Sequence, residues 1–308
     1  MKNIFPKSLK KGAKIALISP AGSVEPTQLE KGIKLIKNKG FEPVLGENLY
    51  TNYSNGYNYA GTEEQRIADI NWALTDPEIS AIWASRGGYG CQHLVEHIDL
   101  YNFYKNPKWY IGYSDNTVIQ SELLNHGFVS IHGQTIKTSS FGVSSESYDL
   151  IFDILKGKFP QYTLPSHHYN VEGKAKGELV GGNLALIYAL LGTPYGYDFT
   201  DKILFIEDIG ENFYALDRMI MSLELSGVFN QIKGLIVGGM TNMGDEKTNK
   251  QYEDSFDDFA NKLIFDIVSK YDFPIIFGFP NGHIYDNRPL IIGGKVKMKV
   301  GKTVKITF

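Results

Sequence analysis

The sequence predicts an α/β protein of two domains, each built on an open and mostly parallel sheet. Three observations carry that expectation. Short apolar runs closed by Gly, Pro or Ser turns alternate with segments of helical period. That alternation with short connections is the signature of strand–helix layering. A length of 308 residues suits two domains, each able to bury its own core. The pattern also lapses once, over residues 161–176, and then restarts, so residues 1–160 read as one domain, 161–176 as a linker and 177–308 as a second domain.

In the first half, residues 15–19 are an apolar run closed by Pro20-Ala21-Gly22-Ser23, the pattern of a buried parallel strand entering a loop. Leu29, Ile33 and Ile36 share one face of a helix over 26–38, with Gly40 as its stop. Residues 41–45 read as a strand, and 48–58, rich in Asn and Tyr without a period, as a surface loop. Thr62, with Gln65 three residues on, caps a helix over 62–73, and 79–84 is the next strand. Ser85-Arg86-Gly87-Gly88-Tyr89-Gly90 then turns into a segment read as a helix carrying His93, Leu94 and Ile98. Residues 109–111 are a strand, 116–125 a helix, 128–132 a strand and 148–155 a helix.

The second half opens on Gly181-Gly182-Asn183, which leads into a helix over 184–191 stopped by Gly192 and Pro194. Strand 203–206 ends in Glu207-Asp208, a helix follows over 214–225, and strand 235–237 closes on Gly238-Gly239. Residues 241–254 read as a polar, mobile loop, 255–269 as a helix, 274–277 as a strand and 280–284 as a loop holding His283. Residues 290–292 and 296–300, joined across Gly293-Gly294, read as a terminal hairpin.

Composition excludes several classes. Hydrophobic content of 43% and charged content of 21% are ordinary for a globular protein, and a net charge of −3 gives no bulk electrostatic case for nucleic acid or anionic membrane. The single cysteine, Cys91, cannot form an internal disulfide, so a reducing compartment is acceptable. The N-terminus has a basic start without a following apolar region, and no run approaches the roughly 18 apolar residues of a spanning helix. A cytoplasmic location is therefore expected, and homodimer formation is left open.

The chemistry centres on Gly112-Tyr113-Ser114-Asp115-Asn116, where an apolar strand turns into a helix. Such a turn lifts the Ser114 hydroxyl out of the sheet beside a helix N-terminus, whose N–H groups favour negative charge. The G-x-S-x-G nucleophile elbow works this way, although position 116 is Asn rather than Gly. Serine is also an ordinary helix cap. The Gly87-Gly88 turn lies at the carboxyl end of its strand, where open sheets bind ligands, and could be an anion cradle or only a tight turn. Glu207 and His283 both follow apolar strands, so His283 could take the serine proton while Glu207 holds its tautomer. His93-x-x-Glu96-His97 matches an inverted zinc-peptidase signature but lacks an evident third ligand, and Cys91 could be a nucleophile if His93 faced it.

Six of these stretches in order resemble the LD-carboxypeptidase family of serine peptidases, which also includes the microcin-immunity hydrolases: Ile18-Ser19-Pro20-Ala21-Gly22, Arg86-Gly87-Gly88-Tyr89-Gly90, Gly112-Tyr113-Ser114-Asp115, Gly181-Gly182-Asn183, Glu207-Asp208 and Gly282-His283. The resemblance spans essentially the whole chain. It implies a flavodoxin-like N-terminal domain, a smaller C-terminal α/β domain and an active site in the cleft between them. It further implies a Ser114–His283–Glu207 triad, with the backbone N–H groups of Gly88 and Asp115 as oxyanion hole and no metal or cofactor. The substrate it implies is a murein tetrapeptide losing its terminal D-alanine in cell-wall recycling. An exopeptidase must hold a free carboxylate, and Arg86 is the cation nearest the expected oxyanion hole. Gly133-Gln134 departs from the Gly-Pro frequent in relatives, and His93-x-x-Glu96-His97 is not a family metal site. Two alternatives stand beside this expectation: an immunity-type amidase acting on a peptidyl-nucleotide antibiotic, for which the tyrosine-rich loop 50–59 could offer a platform, and a non-catalytic two-domain ligand-binding protein.

Overall fold

The structure is a computed structural model that describes residues 3–244 and 255–308. The chain divides into two compact units, Met1–Lys158 and Phe159–Phe308.

In the first unit, five strands form a parallel sheet: β1 (Lys14–Ile18), β2 (Glu42–Leu45), β5 (Ile79–Ala84), β6 (Trp109–Gly112) and β7 (Ser130–His132). Between β2 and β5 lies a short hairpin of β3 (Tyr53–Ser54) and β4 (Asn58–Tyr59), where a surface loop over 48–58 was expected. The parallel strands lie in the order β2-β1-β5-β6-β7, so their sequence order reads 2-1-3-4-5 across the sheet. That is the flavodoxin-like order, and it puts the switch point between β1 and β5. Strands β1, β5 and β6 are apolar along their length because helices cover both faces of a parallel sheet.

The covering helices are α1 (Pro26–Asn38), α2 (Glu63–Thr75), α3 (Thr117–Asn125) and α4 (Ser145–Leu155). The expected cap of α2 is present: Gln65 N–H donates to Thr62 Oγ1 at 3.3 Å and Thr62 N–H to Gln65 Oε1 at 2.9 Å. The helix expected around His93 is instead two separate 3-10 turns, Cys91–His93 and Val95–His97. Gly90, at φ 131°, cannot begin an α-helix, and the Cys91 N–H is drawn to a side-chain carboxylate.

The second unit has a mixed seven-stranded sheet. Strands β9 (Gly173–Asn183), β10 (Ile203–Ile209), β11 (Gly234–Thr241) and β12 (Ile275–Ile276) are parallel, while β14 (Lys295–Val300), β15 (Thr303–Thr307) and β8 (Gln161–Pro165) add on antiparallel. The order is β12-β11-β10-β9-β14-β15-β8, with helices α5 (Leu184–Leu190), α6 (Phe213–Leu225) and α7 (Asp258–Val268) and a short strand β13 (Leu290–Ile292). The stretch read as a linker therefore supplies β8 and the start of β9. Its Pro165 sits at the end of an edge strand, where no ladder donor is needed. The terminal hairpin also lies one strand later than expected, as β14 pairs with β15 across Gly301-Lys302. Of the loop expected over 241–254, Thr241 ends β11, and residues 245–254 lie outside the described residues. Among the described residues no helix is long and apolar enough to cross a membrane.

Candidate active site

In the first unit, two turns from neighbouring strands, β5 and β6, come together. Strand β6 runs through Tyr113 into Ser114, whose φ of 64° lies in the left-handed region. For a residue with a Cβ this conformation costs on the order of 1–3 kcal/mol, and such strain gathers at functional sites. The helix that follows has no side-chain cap, so capping does not account for the serine. Ser114 itself is half-buried.

The Ser85–Gly90 turn lies directly against it. A Cβ added to Gly87 would stand 2.7 Å from Ser114 Cβ and 2.9 Å from its Oγ, so only glycine lets the two turns approach this closely. Gly88 takes φ 121° and is exposed. Among the described residues neither the Gly88 nor the Asp115 backbone N–H donates to another group of the chain. Two donors, one from each turn, are therefore unspent beside the serine, as an oxyanion hole requires.

Side chains whose contacts the sequence does not show lock the two turns together. Asn116 Nδ2 donates to Tyr113 O at 3.0 Å and Arg86 O at 3.3 Å, while its Oδ1 accepts from Tyr110 Oη at 2.6 Å. The buried Asp115 carboxylate accepts the Cys91 N–H at 2.8 Å. Burial, opposed by the Cys91 N–H and thiol and by the Arg66 charge, holds Asp115 above the usual carboxylate range. Burial, and then Asp115, pushes the Cys91 thiol far up, so it is a protonated packing group and not a nucleophile. His93 bonds Glu63 through Nδ1 at 3.0 Å and meets Tyr89 Oη through Nε2 at 3.3 Å, and it and His97 lie on separate 3-10 turns rather than on one helix face. Arg86 braces the turn, donating from Nε to Gly87 O at 3.1 Å and from Nη1 to Ser23 O at 3.0 Å. Tyr57, Tyr59 and Tyr89 cluster over the turn with ring centroids 5.2–6.1 Å apart. The place a Gly88 Cβ would take is 2.2 Å from Tyr57 Oη.

The second unit brings Glu207 and His283 together. Glu207, at the end of β10, is 0% exposed and its Oε2 lies 2.8 Å from His283 Nδ1. The pairing needs Gly282 at φ 119°, because a side chain there would stand 2.7 Å from Glu207 Oε2. With Nδ1 held by the carboxylate, Nε2 is the nitrogen that can act as a base. Burial alone would depress the His283 pKa, but the Glu207 charge and hydrogen bond, helped by Asp208, raise it above the ordinary imidazole value.

Asp208 points to the other side of β10, as strand alternation demands. It accepts from Asn183 Nδ2 at 2.9 Å, Ala185 N–H at 2.9 Å and Ile209 N–H at 2.8 Å, so it ties β10 to the start of α5. Burial and then the neighbouring Glu207 charge push it up to about 7. The sequence marked Asn183 and Asp208 as motif residues without showing this bond. A third cluster, His167, His168 and Asp258, gathers on the surface of this unit. In it His168 Nε2 lies 3.1 Å from Asp258 Oδ1, the two imidazoles stack at 4.4 Å, and His167 Nδ1 accepts the Tyr169 N–H.

Comparison with known proteins adds to this geometry. The family model described as LD-carboxypeptidase N-terminal domain matches residues 15–133, and that described as LD-carboxypeptidase C-terminal domain matches residues 176–298. The probable murein peptide carboxypeptidase of Bacillus subtilis is 31% identical, over 99% of this chain and 96% of that protein. The crystal structure of muramoyltetrapeptide carboxypeptidase from Oxalobacter formigenes superposes with a TM-score of 0.82 at 27% identity, covering 96% of this chain and 98% of that one. The microcin C7 self-immunity protein MccF of Escherichia coli is 24% identical, over 94% of this chain and 90% of that protein.

Proposed function

The chain belongs to the LD-carboxypeptidase family of serine-type peptidases, and from that premise we propose that it releases the terminal D-alanine of murein tetrapeptides through an acyl-enzyme on Ser114. The observation that carries this reading is the Ser114 turn: a non-glycine residue held at φ 64° with two unspent backbone donors beside it. Strain of this kind persists only where the surroundings over-determine it.

In the proposed reaction Ser114 Oγ attacks the carbonyl of the diamino acid as His283 Nε2 takes its proton. The oxyanion is held by the Gly88 and Asp115 N–H groups. Glu207 fixes the imidazole tautomer and stabilises the imidazolium. His283 then gives the proton to the leaving D-alanine amine, and the same base activates the water that frees the acyl group. Arg86 acts here through the turn it braces, and its charge favours a substrate that carries a free carboxylate. The setting we propose is cytoplasmic recycling of cell-wall peptides.

One observation favours a second reading. The Tyr57, Tyr59 and Tyr89 cluster beside Gly88 is an aromatic surface on which a nucleobase could rest, which suits an amidase of the microcin-immunity type.

Labelling with a fluorophosphonate followed by peptide mapping tests the nucleophile. The expected adduct is on Ser114 and forms far more slowly in His283→Ala. An adduct at any other residue, or a rate indifferent to His283, overturns the assignment.

A further inference from the structure

The outer face of the antiparallel strands in the second unit has a property that the peptidase reading neither uses nor explains. Along β9, β14 and β15 the apolar residues alternate inward, and lysines take the outward positions. Strand register sets these lysines directly opposite one another. Lys299 lies between Lys174 on one side and Lys305 on the other, and in the next row Lys297 faces Lys176. Like charges at directly opposed positions destabilise a sheet. Among the described residues none of the five pairs with a carboxylate. The adjoining row holds an acid, Glu178 opposite Lys295, but its carboxylate bonds Lys202 at 2.9 Å. In a chain with a net charge of −3, this concentration of one sign is not a consequence of composition.

The five lysines, with Thr307, Ala175 and Met298 between them in the strands, line a shallow trough of about 480 Å³. A volume of that order takes a small ligand. Among the described residues the lining contains no aromatic ring on which a base could stack and no arginine to fork onto a single phosphate or carboxylate. What it offers is closely spaced point charge. One phosphate monoester carries about −1.5 to −2 near neutral pH, so it would leave about three of the five lysines uncompensated, whereas two or three linked phosphates match them.

We propose that this trough binds a soluble chain of linked phosphates, of the inorganic oligophosphate class. The site lies at the start of β9, seven residues or roughly 23 Å of strand before Asn183, so it is separate from the Glu207–His283 pair. It does not rest on the peptidase assignment.

The test is thermal denaturation and calorimetric titration of the whole protein with sodium tripolyphosphate, at ionic strength held constant with chloride. Orthophosphate serves as one control, and vesicles of phosphatidylglycerol and phosphatidylcholine in equal parts as another. Tripolyphosphate is expected to raise the melting temperature saturably and beyond orthophosphate. The double variant Lys176→Gln/Lys297→Gln is expected to bind about tenfold more weakly or worse, and to melt higher than wild type without ligand because opposed charges are gone. The higher ligand-free melting point also separates lost binding from a damaged fold. No saturable shift, a shift undiminished in the double variant, or binding to vesicles without binding to tripolyphosphate would each overturn the proposal.

Discussion

Replacing Glu207 by glutamine separates the electrostatic role of this residue from its role as a spacer. Gln keeps the volume of a fully buried side chain that Gly238 and Gly282 are shaped to admit. With Nδ1 and Oε2 at 2.8 Å, the charge centres are roughly 4 Å apart, and at an effective dielectric near 20 their attraction is about 4 kcal/mol. A neutral amide acceptor retains roughly 1 kcal/mol of this as a hydrogen bond. About 3 kcal/mol of imidazolium stabilisation is then missing from the transition state, a fall in kcat of about two orders of magnitude. The pH profile gives a second, independent reading. The acidic limb of kcat/KM follows the free-enzyme His283, which Glu207 holds above the ordinary imidazole value. Removing the charge leaves burial dominant, so the limb moves to lower pH even as the plateau falls. Both are read from D-alanine release across a pH series. A limb that stays in place, or a loss below about tenfold, would refute the coupling of Glu207 to the base.

Three further outcomes follow from the same geometry. Gly87→Ala would put a methyl 2.7 Å from Ser114 Cβ, displacing the nucleophile, so kcat should fall about 100-fold with KM little changed, and steady-state kinetics near wild-type values would contradict the contact. Asp208 holds its proton up to about 7 in the fold but only to about 3.9 when unfolded, so its contribution to stability is complete below pH 4 and lost as pH rises through 7. The slope from this group approaches −1.4 kcal/mol per pH unit in that window, and urea unfolding at several pH values should find it missing in Asp208→Asn, whatever that variant's absolute stability. Cys91 should resist thiol reagents until the protein unfolds, and Cys91→Ser should keep turnover of the same order as wild type; native labelling or loss of activity would revive a cysteine nucleophile.

Much of this was legible in the sequence because buried parallel strands and capped helices announce themselves. The run Ile79–Ala84 and the helix Pro26–Asn38 stand where apolar content and the proline and glycine stops place them. The segment after Gly90 misleads because His93, Leu94 and His97 have helical spacing, while the backbone is diverted by a left-handed glycine and by the Asp115 carboxylate, 24 residues away in sequence. The terminal hairpin lies one strand later than the sequence predicts because Gly293-Gly294 and Gly301-Lys302 are both good turns between alternating runs, and only pairing with β9 selects the second. Glu207 and Asp208 look interchangeable in sequence. Strand alternation separates them, one toward His283 and the other toward Asn183, but which faces which depends on neighbours distant in the chain. The locking contacts of Asn116 and Asp115 were illegible for the same reason.

In the proposed reaction Ser114 cleaves the bond before a terminal D-alanine with His283 and Glu207 as its base and orienter. The most direct measurement is mass-spectrometric turnover of an L-Ala-γ-D-Glu-diamino acid-D-Ala tetrapeptide by wild type and Ser114→Ala, each with and without a chelator. Release of D-alanine by wild type, abolished by the substitution and indifferent to chelator, is the predicted result. Release that survives Ser114→Ala, or that the chelator abolishes, would contradict the account.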